Sequence, residues 1–133
     1  VRYITRRVTL ADGFDSGDLR VYITAYKPTG GDILVYYKIL STSDPDTFDD
    51  KNYQLMTQLS NSNFVSVNEE DYREISYAPG TNSTANNAVS YTSASTGYNT
   101  FSTFAIKIVM TGTSTVDVPK VRDFRAIALP AGA

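Results

Sequence analysis

Apolar and polar residues alternate along much of this chain, with a period of two. Residues 19–26 set the pattern: Leu19, Val21, Ile23 and Ala25 fall on one face, Arg20, Tyr22, Thr24 and Tyr26 on the other. Successive side chains of a strand point to opposite faces, so this spacing predicts a half-buried strand. Residues 2–10 read similarly, with Ile4, Val8 and Leu10 on a face that Arg6 interrupts. Residues 33–40 are largely apolar on both faces, which predicts a central strand. Further on, Phe104, Ile106, Ile108 and Met110 alternate with Thr103, Ala105, Lys107 and Val109. A last strand is predicted over 121–129.

Turn-forming residues punctuate these runs. Ala11-Asp12-Gly13 and Pro28-Thr29-Gly30-Gly31-Asp32 are the sharpest breaks. The second makes 19–26 and 33–40 read as a hairpin with a longish loop. Residues 41–52 are polar and predict a loop with one short helical turn. A further strand is predicted over 72–78, and weaker ones over 53–59, 63–67 and 88–92. Most of 79–100, rich in Ser, Thr and Asn, reads as surface loop. No apolar stripe of helical period competes with the strands. Six strong strands and two or three weak ones, at short spacing, predict an all-β fold. The expected architecture is an antiparallel β-sandwich of jelly-roll type with about eight strands.

Composition narrows the chemistry. The chain has 133 residues, which fits one domain over 1–133. It opens on Val1 rather than Met, so the expectation is a domain excised from a longer protein. Cysteine, histidine and tryptophan are absent. Twelve basic and fourteen acidic residues give a formal charge of −2, so no nucleic-acid partner is expected. No apolar run approaches the roughly 18 residues of a membrane-spanning helix, so membrane insertion is not expected either.

Nucleophilic catalysis usually pairs its nucleophile with a histidine, and that pairing cannot be built here. The five lysines (Lys27, Lys38, Lys51, Lys107 and Lys120) sit in no recognisable catalytic motif. Carboxylates gather in loops, where they are usually solvated rather than held with the shifted pKa that acid–base work needs. The expectation is therefore no enzyme, with a glycan depolymerase as the surviving enzymatic alternative.

Two acidic clusters offer hard oxygen ligands at short spacing: Asp12, Asp15 and Asp18, then Asp44, Asp46, Asp49 and Asp50. No cofactor is required by the sequence, and calcium is the one these clusters invite. Neither has the spacing of an EF-hand loop. The alternative is turn-forming Asp that caps local backbone amides. The ten tyrosines supply flat rings with a polar tip. Tyr53, Tyr91 and Tyr98 are the candidates for ligand binding, against the alternative that tyrosine is simply a good strand residue.

Three stretches carry a family resemblance. They are Y-I-T-R-R-V-T-L-A-D-G-F-D-S-G-D-L-R-V-Y-I-T-A-Y-K-P at 3–28, D-I-L-V-Y-Y-K-I-L at 32–40 with D-P-D-T-F-D-D at 44–50, and F-A-I-K-I-V-M-T-G-T-S-T-V-D-V-P-K-V-R-D-F-R-A-I-A-L at 104–129. Together they resemble a domain of large virion structural proteins of tailed bacteriophages, T4-like phages of marine cyanobacteria in particular. The resemblance implies a tail, baseplate or fibre-associated β-sandwich module. It implies other virion proteins as partners, a homo-oligomer in the particle, and residence in the virion after synthesis in the host cytoplasm. The last stretch also resembles, more loosely, jelly-roll binding domains whose final strand follows a V-P-x-V/L turn, here Val118 to Val121. That likeness implies a glycan-binding module for host-surface recognition.

Overall fold

The protein is described by a computed structural model. The described residues are 2–4, 8–10, 16–41, 44–58, 65–79, 91–93, 95–98, 100–112 and 119–130. In chain order the strands are β1 (Arg2–Ile4), β2 (Val8–Thr9), β3 (Ser16–Tyr26), β4 (Asp32–Leu40), β5 (Gln54–Leu55), β6 (Thr57–Gln58), β7 (Arg73–Ala78), β8 (Tyr91–Ser93), β9 (Thr96–Tyr98), β10 (Thr103–Thr111) and β11 (Lys120–Pro130). One 3-10 turn, Phe48–Asp50, lies between β4 and β5. It is the short helical turn expected in that polar stretch.

Two antiparallel sheets pack face to face. The first runs β1-β10-β4-β5, with β2 also alongside β10. The second runs β11-β3-β7-β6. The expected β-sandwich is thus the fold; a jelly-roll winding is a finer expectation that this strand order does not establish. The core lies between the sheets. Leu19, Val21, Ile23, Ala25, Ile75 and Tyr77 come from one inner face, and Ile33, Val35, Tyr37, Ile39, Phe104, Ile106 and Ile108 from the other. Each Val, Ile or Leu so buried contributes about 1.5–3 kcal/mol relative to leaving it exposed. Phe101 and Phe104 meet edge to face, with centroids 5.8 Å apart.

The expected hairpin of 19–26 with 33–40 does not form. β3 pairs with β11 and β7, whereas β4 pairs with β10 and β5. Residues 27–31 arch from one sheet to the other. Gly30 takes φ 81°, the left-handed region that suits glycine, and Gly31 N–H donates to the Pro28 carbonyl at 3.0 Å. A Cβ on Gly31 would stand 2.8 Å from Pro119 Cγ, so the arch also needs a bare backbone there. Paired side by side, the two alternating strands would share one inner face. Placed in opposite sheets, their apolar sets meet across the core.

In place of the single strand expected over 53–59, residues 54–58 cross between the sheets. Gln54 and Leu55 pair with β4, Thr57 and Gln58 with β7. Between them Met56 is buried, and its N–H donates to the Val35 carbonyl at 2.8 Å. The strand expected over 63–67 is absent from its described part, residues 65–67. On β11 the register shifts between Arg122 and Arg125, and Asp123 takes φ 53°. This bulge absorbs one residue and returns Phe124 and Ala126 to the core side, where both pack on the core cluster.

Candidate functional site

The outer face of the β1-β10-β4-β5 sheet is built by register. Ile33, Val35, Tyr37 and Ile39 of β4 point inward, so Tyr36 and Lys38 point outward and are half-buried. On β10, Lys107 is the register partner of Tyr36, and Ala105 of Lys38. Leu55 pairs with Tyr36 and Gln54 with Tyr37, which brings Tyr53 across from Lys38. Two lysines and two tyrosines therefore share one patch. Lys107 Nζ lies 4.5 Å from the Tyr36 ring centroid and 4.7 Å from that of Tyr53. Lys38 Nζ lies 5.4 Å from Tyr53 and 4.7 Å from the buried Phe48 ring. Each such cation–ring contact is worth about 0.5–2 kcal/mol, more as water is excluded. Burial raises the pKa of Tyr53, whose phenol is a neutral donor at pH 7 in any case. Neither ammonium meets a carboxylate among the described residues. Leu55, 55% exposed, extends the apolar part of this face.

Lys51, close by in sequence, is neutralised from within. Its Nζ lies 3.0 Å from Asp44 Oδ2 and 3.0 Å from Asp46 Oδ2. Asp44 Oδ1 accepts from the Asp46 N–H at 3.0 Å, and Asp46 Oδ1 from the Thr47 N–H at 2.9 Å. Desolvation works against the Lys51 charge, but the two carboxylates prevail and hold its pKa above the usual lysine value. Lys51 stands where a cation shared by Asp44 and Asp46 would sit. Asp49 is exposed on the 3-10 turn, and Asp50 closes that turn. Asp18 lies within β3 as the register partner of Leu129, not in a loop as expected. Asp12 and Asp15 lie outside the described residues. Among the described residues, no three acidic side chains converge on one point as a metal site.

The outer face of the β11-β3-β7-β6 sheet also combines rings with cations. Arg122 stacks 4.0 Å from the Tyr72 centroid, Arg125 4.8 Å from Tyr22, and Lys120 5.8 Å from Tyr26. Tyr26 and Tyr72 lie 5.9 Å apart. Here a carboxylate takes part: Glu74 Oε2 accepts from Arg125 Nη2 at 3.3 Å. Below it, Arg73 grips Asp71 through Nε at 3.1 Å and Nη2 at 3.2 Å. The Val67 N–H also donates to Asp71 at 2.9 Å. These bonds, from Arg73 first, hold the Asp71 carboxyl below its ordinary pKa.

Of the tyrosines singled out from sequence, Tyr53 stands on the first face. Tyr91 and Tyr98 are register partners on the separate β8-β9 hairpin. Tyr36 is one of several tyrosines whose rings the sequence offers, and no motif marks Lys38 or Lys107. Two hollows flank Phe124, about 290 Å³ beside Met110 and Val121 and about 230 Å³ beside Val8 and Ala126. Their walls are chiefly apolar, with Arg122 and Asp123 at the first. Among the described residues no helix is long and apolar enough to cross a membrane. No family model matches the chain, and neither the curated proteins nor the solved structures yield a match. Function is therefore read from the chemistry of the two faces.

Proposed function

We propose that this chain is a non-enzymatic assembly domain of a tailed-phage virion, of the tail or baseplate, that works by docking on other virion proteins. One observation carries the docking part: the outer face of β11, β3 and β7 presents Tyr22, Tyr72, Arg122, Arg125 and Ile127 together. Tyrosine and arginine are the residues most enriched where protein interfaces concentrate their binding energy. The rigid two-sheet scaffold beneath suits a part that must hold its shape without a cofactor. The virion assignment itself rests on the sequence resemblance. Immunogold labelling of intact particles with an antibody against this domain tests it, and tail or baseplate label is expected. Labelling confined to infected-cell debris would contradict it. The docking face is tested by solution mass across concentration and with candidate neighbours. Association lost in Arg122→Ala/Arg125→Ala is expected; association indifferent to that change would contradict the assignment of the face.

A second reading is a glycan-binding module. What favours it is the other face, where Lys107 meets the rings of both Tyr36 and Tyr53 and Lys38 meets that of Tyr53. Incubation with surface polysaccharide is expected to release no reducing ends. Their appearance would revive the depolymerase alternative.

A further inference from the structure

We propose that the outer face of the β1-β10-β4-β5 sheet binds an acidic saccharide, with Lys38 and Lys107 holding its anionic group and Tyr36 and Tyr53 receiving its ring. This inference rests on the glycan-binding reading and names the ligand class for it.

The decisive contrast is among the lysines. Lys51 has two carboxylates at 3.0 Å, and Lys27 reaches Asp32 at 4.0 Å. Lys38 and Lys107, both half-buried, have aromatic rings as their contacts, and both approach the one ring of Tyr53. Two like charges near one another and partly withdrawn from water repel each other. An anion placed between them relieves that repulsion and gains charge-assisted hydrogen bonds. The chain as a whole carries more acidic than basic residues, so the lack of a carboxylate at Lys38 and Lys107 among the described residues is local rather than a general excess of cations.

The rings identify the rest of the ligand. A bare inorganic anion would use the ammonium groups and leave the tyrosines idle. A uronate or sulfated sugar carries its charge on the rim of a ring whose C–H face can lie flat on an aromatic side chain. The register places rings and ammonium groups within one such span, because Lys107 partners Tyr36 and Ala105 partners Lys38. Ala105 adds little bulk beside Lys38. The neutral Tyr53 hydroxyl adds a donor for sugar oxygens without adding a competing charge.

The test is calorimetric titration of the intact chain with oligogalacturonate, its fully methyl-esterified form and inorganic sulfate. Sulfated oligosaccharide serves as a second acidic probe. Saturable binding of at least one acidic oligosaccharide is expected, at least about tenfold tighter than the neutral ester and than sulfate. Lys38→Met and Lys107→Met keep the aliphatic stems over the rings and are each expected to weaken acidic binding about tenfold or more. Tyr53→Ala is expected to weaken acid and ester alike. Circular dichroism confirms that each variant is folded. Equal binding of ester and acid would overturn the acidic ligand class while leaving the glycan reading standing. Binding of neither overturns both. Sulfate binding as tight as the oligosaccharide, or acidic binding unchanged in both lysine variants, overturns the proposal as well.

Discussion

On one outer face of the sandwich Arg125 stacks on Tyr22 and reaches Glu74, both at the exposed surface. On the other, Lys107 stacks on Tyr36 and Tyr53 and shares the second ring with Lys38, with no described carboxylate beside them. The residue types are alike and the electrostatic outcome is different. Arginine's fork can hold a ring and a carboxylate at once, so the first face is partly neutralised by its own chain. Lys38 and Lys107 are point charges held against rings, and among the described residues no carboxylate meets either ammonium.

The largest expected effect is on what the faces share. Ile23 is fully buried between them, and Ile23→Ala is expected to lose about 2–5 kcal/mol in urea unfolding. Both faces should weaken together, and only as the folded fraction falls. Loss of binding on one face with the other intact, in folded protein, would break the idea of a common rigid scaffold.

A smaller effect tests the acidic loop below the arginine face. The Asp71 carboxylate is favoured in the folded state, so its contribution is complete above the ordinary pKa of 3.8 and is lost as pH falls below it. Asp71→Asn is expected to lower the melting temperature at pH 7 and to flatten the acid side of the stability profile. An unchanged acid limb would show that the Arg73 and Val67 bonds carry no stability. Tyr77 is smaller still and opposite in sign. Among the described residues its buried hydroxyl has no hydrogen-bond partner, and Tyr77→Phe is expected to be neutral or to stabilise by up to about 1 kcal/mol. A clear loss in that variant would reveal a partner for the hydroxyl.

The smallest effects sharpen the comparison itself. The Arg125–Glu74 pair is more than half exposed on both sides, so Glu74→Gln is expected to cost well under about 1 kcal/mol and less still in high salt. Lys107→Met should behave in the opposite way. Added salt screens the repulsion between Lys38 and Lys107, so it should stabilise the unaltered chain more than the variant. Identical salt responses would erase the difference between the faces.

Much of this was legible in the chain. The doubly apolar run 33–40 is the strand that lies between β10 and β5. The alternation over 19–26 and 103–110 separates inward from outward residues, because period two is a property of the strand alone. Pairing is not. Nothing in the pattern of β3 and β4 says that residues 27–31 arch between sheets rather than close a hairpin. The crossover at Met56 looked like one strand for the same reason. Lys38 and Lys107 lie far apart in sequence and become neighbours only through the β4–β10 register. Before that register is known, each reads as an ordinary solvated residue on an outer face. Asp44 and Asp46 drew attention as ligands, and the Lys51 that satisfies both was in view only as a lysine without a motif.

The most direct test of the division between the faces is an NMR titration of the isotope-labelled chain with acidic oligosaccharide, following backbone amide shifts. Saturable perturbations clustered around Tyr36, Lys38, Tyr53 and Lys107 are expected, with Tyr22, Arg122 and Arg125 unmoved. Perturbations centred on the arginine face, or spread evenly over both, would contradict it.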